Sequence, residues 1–301
     1  MAPVRITVSN RRAFVWDVDD IAVIRSQHRI CGLLTGTLPR LAQQNAFLGV
    51  PLVLMPQEVA LLVDKGFAVL VDDALSHRFP SQAEANRWAD LQTADIESQL
   101  TAAEELARSR HTNAADKSMS EEAVRKRKAR EAKRAAKTQQ ADDSAVFAPQ
   151  QPEEDAVPAA QASVFTISLP ASSTGMPWYE PEGKAYATLD AARAAGLWMY
   201  PETLQDRAQY GVFRDMWEQG FFMGIGIRFG ADYLVYPGDP LRYHSHFAAT
   251  VIEAPDAPMR PMEIVAHGRL GTATKKAHLL CSWDDEKRTV SYLSIEWAGF
   301  G

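Results

Sequence analysis

The sequence predicts an α+β protein: a small N-terminal α/β domain, a charged linker, and a C-terminal mixed-sheet domain with flanking helices. Three observations support this. The chain has 301 residues, enough for two domains. Apolar runs of strand length recur in both end regions, with few helical patterns among them. The stretch between them is highly charged and then rich in Pro and Ala. We therefore predict domains at residues 1–80 and 164–301, joined by a linker at 81–163.

The N-terminal region alternates short apolar runs with turn signals. The runs RITVSN and RAFVWD predict a β-hairpin that turns at Asn10 and Arg11. DVDDIAVIRSQHR predicts a helix with acidic residues in its first turn, and VPLVLM predicts a strand. PQEVALLVDKG predicts a short helix that begins at Pro56 and stops at Gly66. FAVLVD predicts the next strand, so the domain ends near Asp73.

The linker has two parts with different compositions. Residues 81–137 contain strong helix formers and few large apolar side chains, which predicts an exposed helix or a pair of helices. Between Arg125 and Lys137 there are eight basic residues and one acidic residue. Such a run is typical of a nuclear-import signal, a nucleic-acid contact or a solvated helical face. Residues 138–163 are polar, acidic and rich in Pro and Ala, which predicts disorder.

The C-terminal region, from Val164, predicts two helices among a mostly sequential set of strands. An amphipathic helix lies in YPETLQDRAQYGVFRDMWEQG and stops at Gly220, and a second lies in MRPMEIVAHGRLG. The strand candidates are FFMGIGIRF, ADYLVY, HSHFAATVI, AHLLCSW and RTVSYLSIEW, the last two joined by the turn DDEK. This order favours an α+β arrangement over a doubly wound sheet.

The composition and charge of the chain argue against several classes of protein, among them secreted and membrane proteins. The net charge is −6, and residues 164–301 hold twelve Lys and Arg against sixteen Asp and Glu. The large basic field of a protein that binds nucleic acid unaided is therefore not expected. Cys31 and Cys281 lie far apart, as is typical of buried thiols in a reducing compartment. The start of the chain lacks the apolar core of a signal peptide, and no apolar run approaches ~20 residues, so we expect a soluble intracellular protein.

Three chemically complementary side chains lie in or after the segment FGADYLVYPGDPLRYHSHF. Tyr236 and His244 flank a turn that contains Pro237, and the pair Lys275 and Lys276 follows about thirty residues later. A phenol, an imidazole and an ammonium group suit cleavage of a phosphodiester by an attacking 2′-hydroxyl. One group accepts a proton, one donates a proton, and one offsets charge at phosphorus. This chemistry requires no metal and no cofactor.

Each candidate residue also has an alternative interpretation. Tyr236 fits a half-buried tyrosine at a strand end, and a pKa of about 10 makes it a poor base unless cations lower that value. His244 and His246 are two apart on a predicted strand, so either one is a candidate acid. Together they would suit a metal site, but no third ligand is convincingly spaced. Lys275 and Lys276 alternate faces if they begin a strand, so only one of them faces the site.

The long motif from Tyr210 to His246 resembles the C-terminal catalytic domain of tRNA-splicing endonucleases. The likeness resumes in GRLGTATKKAHLLCS and SIEWAGF, and RLAQQNAFLGVPLVLMPQEVALLVDKGFAVLV matches more weakly. Within that family the chain is most similar to the eukaryotic catalytic subunit assigned to the 3′ splice site. The resemblance covers roughly the first 75 and the last 110 residues, and the linker matches nothing we recognise.

The resemblance implies a role for each site residue. Tyr236 would be the general base on the 2′-hydroxyl, His244 the general acid for the 5′-oxygen, and Lys276 the ammonium that stabilises the transition state. It also implies that Arg269 and Trp297 stack on a base of the intron bulge and serve the other catalytic subunit's active site. The alternative interpretations are a solvated cation at a helix C-terminus for Arg269 and core packing at a strand end for Trp297.

The resemblance also implies a substrate, partners and a location. We expect cleavage of intron-containing precursor tRNA that leaves a 2′,3′-cyclic phosphate and a 5′-hydroxyl. The family works as a hetero-tetramer of two catalytic and two structural subunits, in the nucleus or, in some lineages, in the cytoplasm or on an organelle surface. The apolar final strand VSYLSIEW is expected to be an edge that a structural subunit covers. A non-catalytic structural subunit and a metal-dependent nuclease are the alternative functions, and no membrane association is expected.

Overall fold

The computed structural model describes residues 3–36, 48–119 and 172–296, together with Ile167 and Leu169. Residues 1–80 and 170–301 form one compact unit, and residues 81–169 form a second. The second unit contains helix α3 (Gln82–Met119), and none of its side chains described up to Ser109 is buried. An exposed helix was predicted here. The basic run 125–137 and the predicted disorder at 138–163 lie outside the described residues.

The first sheet has six strands, five of them from the N-terminal region. They are β1 (Val4–Ser9), β2 (Arg12–Val15), β3 (Leu33–Gly36), β4 (Gly49–Leu54), β5 (Ala68–Asp72) and β6 (Ala185–Tyr186). Their order is β3-β4-β2-β1-β5-β6, with β1 parallel to β5 and the other described pairs antiparallel. The predicted hairpin is confirmed: Asn10 and Arg11 both have positive φ, at 50° and 59°, as a tight two-residue turn requires.

Two helices complete the N-terminal region. Helix α1 (Val18–Ser26) follows Asp17, whose carboxylate accepts hydrogen bonds from the next two acidic residues' backbone N–H groups. Helix α2 (Pro56–Asp64) begins at the predicted proline and packs on β5. Gly66 follows it with a φ of 70°, the left-handed conformation that ends many helices.

The second sheet is built from the C-terminal region and is mixed, as predicted. Its strands are β7 (Phe222–Ile225), β8 (Tyr233–Tyr236), β9 (Phe247–Ile252), β10 (Ala277–Asp284) and β11 (Thr289–Ile295). Their order is β11-β10-β9-β8-β7, with β9 parallel to β10 and the other pairs antiparallel. The strand predicted from FFMGIGIRF ends at Ile225. The chain reverses at Gly226, where a Cβ would lie 2.8 Å from the backbone of Tyr233.

The described part of the C-terminal region also contains three helices. Helix α4 (Leu189–Ala194) contacts α2 and β6 of the first sheet, whereas α5 (Leu204–Glu218) and α6 (Pro261–Thr274) pack on the second sheet. Helix α5 buries Phe213 and Met216 and packs on β9 and β10. Gly211 of α5 lies against the ring of Trp283, and a Cβ there would be 2.3 Å from the indole. Helix α6 contacts β10 and β11. Among the described residues, no helix combines the length and apolar character needed to cross a bilayer.

The sequence-based prediction that His244 and His246 lie on a strand is wrong. Strand β9 begins at Phe247, and both histidines belong to the preceding loop. The carbonyl of Asp239 accepts hydrogen bonds from the N–H groups of Arg242 and Tyr243, which forms a turn just before the two histidines. After this turn the His246 N–H donates to the carbonyl of Val235, and the regular strand begins at the next residue.

The N-terminal and C-terminal regions pack closely on each other within one unit. Ile30 forms a parallel bridge with Met223 at the edge of the second sheet. Trp217 Nε1 donates to the carbonyl of His28 at 2.6 Å, and β6 adds a C-terminal strand to the first sheet. The predicted boundaries of two separate domains, at residues 80 and 164, stay a prediction. In the structure the N-terminal and C-terminal regions pack against each other in one compact unit.

Glu58 is a fully buried carboxyl group that ties together separate segments of the N-terminal region. Its Oε1 accepts from the N–H of Gly32 at 2.9 Å, and its Oε2 accepts from the N–H of Met55 at 2.8 Å. Burial raises the pKa of Glu58 to about 7, and these backbone N–H groups oppose the rise. The folded protein therefore binds this proton more tightly than the unfolded chain does.

We expect Glu58 to contribute stability that is complete below pH about 4.5 and is lost as the pH rises to about 7. Glu58→Gln does not titrate, and its amide NH₂ would face a backbone N–H, so this variant should be less stable at low pH. Urea unfolding of both proteins measures the unfolding free energy of the wild type minus that of the variant. From about pH 4 to pH 8 this difference should fall by on the order of 3 kcal/mol. A constant difference would show that the pKa of Glu58 is not raised.

Candidate active site

Tyr236 is the last residue of β8 and is half-buried. Its ring lies over Gly224 of β7, where a Cβ would be 3.5 Å from the Tyr236 Cε2 atom. Burial raises the pKa of Tyr236, the nearby Cys31 raises it further, and a hydrogen bond with the Ser245 side chain opposes the rise. The sequence analysis required cations to lower the pKa of Tyr236 if it is to act as a base, but burial is the largest cause of the shift and no cation is among its main causes.

His244 follows a turn that Asp239 organises. The Asp239 Oδ1 atom accepts from the N–H of Leu241 at 2.9 Å, and its carbonyl accepts from the two following N–H groups at 2.8 and 3.0 Å. The turn leaves the His244 imidazole exposed, and His246 is exposed as well. The His246 N–H donates to the carbonyl of Val235 at 3.0 Å, which fixes the end of the loop beside β8. An exposed imidazole is accessible to a large substrate.

Lys276 is the member of the lysine pair that contacts this loop. Its Nζ donates to the carbonyl of Ser245 at 3.0 Å and lies 5.5 Å from the centre of the Phe229 ring. Lys275 is exposed and occupies the left-handed position that caps α6, with a φ of 54°. The alternation considered above required the two lysines to begin a strand. Helix α6 instead ends at Lys275, and β10 begins at Ala277, so neither lysine is part of a strand.

Ser245 connects the three predicted residues, and the sequence analysis did not single it out. It follows His244 in the chain, its carbonyl accepts from Lys276, and its side chain counteracts the raised pKa of Tyr236. Ser245 is only 6% exposed, whereas the histidines on either side of it are exposed. The signal available in the sequence was its position between two candidate histidines. The structure thus brings Tyr236 and the Lys276 ammonium to the buried serine that directly follows His244.

Comparison with known proteins finds two matching family models, one in each of the two regions of the compact unit. The model of the TSEN34-like N-terminal domain matches residues 4–73, and that of the tRNA intron endonuclease catalytic C-terminal domain matches residues 207–292. The chain is 30% identical over 316 residues to the mouse tRNA-splicing endonuclease subunit Sen34, covering 97% of this chain and 98% of that one.

The chain belongs to the tRNA-splicing endonuclease family. It is also 29% identical over 306 residues to the human Sen34 subunit, covering 97% of this chain and 98% of the human one. A tRNA-splicing endonuclease of Saccharolobus islandicus matches at 30% identity over 88 residues, 29% of this chain and 48% of that protein. The match to the catalytic-domain model identifies an enzyme, a tRNA-intron endoribonuclease, and the matched range of the chain contains Tyr236, His244 and Lys276.

The residues expected to stack on an RNA base are only partly described. Arg269 lies on the exposed surface of α6, and Trp297 is outside the described residues, so their pairing stays a prediction. The alternative interpretation of Arg269 as a cation at a helix C-terminus is wrong. Helix α6 continues to Thr274 and has no basic residue in its last turn.

Two histidines outside the predicted set lie near the site. His278 follows Lys276 by two residues on β10, is fully buried and stacks on His267 of α6, with 4.1 Å between the ring centres. Burial and the neighbouring ring lower the pKa of His278 to about 4. Its Nε2 lies 2.9 Å from the Thr250 hydroxyl, so the neutral ring packs the sheet against α6. In the described part of the chain, no cluster of three or more His, Cys, Asp and Glu is arranged to hold a metal.

The contrast between the two lysines gives a matched test. We expect Lys276→Ala to lower the single-turnover cleavage rate about 10²–10³-fold, the usual cost of losing one preorganised donor to a developing charge. Lys275→Ala removes the same charge from the adjacent position and should leave the rate near that of the wild type. Quantified cleavage of an intron-containing precursor tRNA by the assembled enzyme measures both. A larger loss for Lys275→Ala would show that Lys275, and not Lys276, has this role.

Proposed function

We propose that this chain is a catalytic subunit of tRNA-splicing endonuclease that cuts precursor tRNA at the 3′ splice site. The observation that carries the proposal is the arrangement of Tyr236, His244 and Lys276 around Ser245. A non-catalytic structural subunit would not need this arrangement. The similarity to proteins named as Sen34 subunits, along nearly the whole chain, supports the choice of subunit.

The proposed reaction is attack by a 2′-hydroxyl on the adjacent phosphorus. Tyr236 accepts the proton of this hydroxyl as the new P–O bond forms. The bond from phosphorus to the 5′-oxygen then breaks, and His244, as the imidazolium, donates a proton to that oxygen. The ammonium of Lys276 stabilises the extra negative charge on the phosphoryl oxygens. The products of this lyase-type reaction are a 2′,3′-cyclic phosphate and a 5′-hydroxyl.

The environment of Tyr236 constrains its part in this reaction. Burial raises its pKa, so the free phenolate is scarce near neutral pH. A neutral phenol has no site for this proton, so Tyr236 accepts it only as the phenolate, whose small fraction limits the rate of this step. The Ser245 side chain opposes the rise in this pKa and so favours the phenolate, which gives this serine a supporting role in the transfer.

We also propose that the chain works in a hetero-tetramer with a second catalytic subunit and two structural subunits. Strand β11 is at the edge of the second sheet, and its Leu293 side chain is 63% exposed. An apolar edge strand of this kind is normally covered by a partner. Residues 164–301 have four more acidic than basic residues, sixteen against twelve, so partners would supply most phosphate contacts. Nuclear import through the basic run 125–137 is a proposal that rests on composition alone.

His244→Ala tests the catalytic assignment. Loss of a general acid typically costs ~10²–10⁴-fold in rate, and the loss should fall on the 3′ splice site alone. His246→Ala is the matched control, because this second exposed histidine lies two residues away. The assay uses one reconstituted complex and one precursor tRNA, with the two cuts quantified separately. Normal cutting of both junctions by His244→Ala would favour the structural-subunit alternative.

The same assay separates catalysis from base stacking. Arg269→Ala combined with Trp297→Ala leaves the three catalytic candidates intact and removes stacking worth roughly 1–3 kcal/mol per base. Because each active site in the proposed assembly borrows its stacking residues from the other catalytic subunit, this variant should weaken the cut at the 5′ splice site. If it and His244→Ala impaired the same junction, the proposed exchange of stacking residues would be wrong.

A further inference from the structure

The turn that precedes His244 is held by an ion pair with the N-terminal region. Arg25, in the last turn of α1, places its Nη2 atom 3.3 Å from the Asp239 Oδ1 atom. The same oxygen accepts from the N–H of Leu241, so one carboxylate oxygen serves both the turn and the arginine. His244 lies five residues after Asp239.

Arg25 is itself fixed by the backbone of its own region. Its Nη1 atom donates to the carbonyl of Cys31 at 3.0 Å, and the preceding Ile30 pairs with Met223 of β7. The residue after Cys31 is Gly32, whose N–H is held by the buried carboxyl of Glu58. The guanidinium therefore connects a backbone segment that is fixed on both sides to the turn that carries the imidazole.

The energetics of this ion pair make it a poor candidate for a purely stabilising contact. The side chains of Arg25 and Asp239 are 24% and 38% exposed. Ion pairs at such partly exposed positions typically contribute about 0–1 kcal/mol to stability. A small misplacement of a catalytic group, by contrast, can cost about 10²-fold in rate. This contact is therefore better suited to fixing the position of His244 than to stabilising the fold.

We propose that Arg25 is a positioning residue that acts through Asp239 to set the place of the His244 imidazole in the reaction. The N-terminal region thus becomes part of the working active site although it supplies no group that reacts. This inference rests on the proposed role of His244 as the general acid.

The first measurement separates position from affinity and folding. Arg25→Ala and Asp239→Asn should each lower the single-turnover rate at the 3′ splice site about 10–100-fold, with precursor tRNA affinity and unfolding midpoint unchanged. Asp239→Asn keeps an oxygen for the N–H of Leu241 and so preserves the turn, but it removes the negative charge that pairs with Arg25. The double variant should be no slower than Arg25→Ala alone, because both changes act on the same contact. Arg12→Ala, an exposed arginine in the same region, is the control that should cut normally.

The second measurement uses a precursor tRNA with sulfur in place of the 5′-oxygen at the 3′ splice site. A thiol has a pKa near 8.5, so the sulfur leaves as a thiolate and needs no proton from an acid. His244→Ala should cut this substrate at close to the wild-type rate. If Arg25 and Asp239 act by placing His244, the defects of Arg25→Ala and Asp239→Asn should disappear on this substrate too.

The outcomes distinguish failure of the inference from failure of the proposed function. If His244→Ala recovers on the sulfur substrate and the Arg25 and Asp239 variants do not, the positioning role is wrong and the general acid stands. Unchanged rates on the ordinary substrate, or rates that fall together with tRNA affinity, overturn the positioning role as well. If His244→Ala does not recover, the general-acid assignment falls, and the inference falls with it.

Discussion

The site depends on the parallel pairing of β9 with β10, in which Phe247 lies opposite Ala277. Parallel strands begin at the same end of a sheet, so the segments that enter them come together there. One entering segment contains His244 and Ser245, and the other ends in Lys276. Strand β8 is antiparallel to β9 and therefore finishes at this same end, where its last residue is Tyr236. Strand direction thus brings Lys276 to the segment that holds Tyr236 and His244 about thirty residues earlier.

Much of this arrangement was predictable from local patterns in the sequence. The hairpin at Asn10, the start of α2 at Pro56 and the mixed C-terminal sheet all followed from turn chemistry, helix capping and apolar periodicity. The family was predictable from the motif that ends at His246, and the comparisons confirm it.

The contacts that the sequence did not reveal are long-range. The local pattern HSHFAATVI alternates as a strand does, but a turn at Asp239 precedes it and the regular strand begins only at Phe247. The Tyr236 ring lies over Gly224 of the neighbouring strand, and Cys31 of the N-terminal region adds to its raised pKa, so this pKa could not be read from its own segment. Ser245 escaped notice because its importance lies in a backbone carbonyl, which every residue has.

Acid-base chemistry on the RNA's own 2′-hydroxyl is the central claim, and the ends of the cleaved RNA test it most directly. The assembled enzyme would cut, in excess EDTA, a precursor tRNA and a matched precursor with one 2′-deoxynucleotide just before the scissile phosphate of the 3′ splice site. We expect a 2′,3′-cyclic phosphate and a 5′-hydroxyl from the first substrate and no cut at that site in the second. Loss of cleavage on chelation, a 5′-phosphate product, or normal cleavage of the deoxy substrate would contradict it.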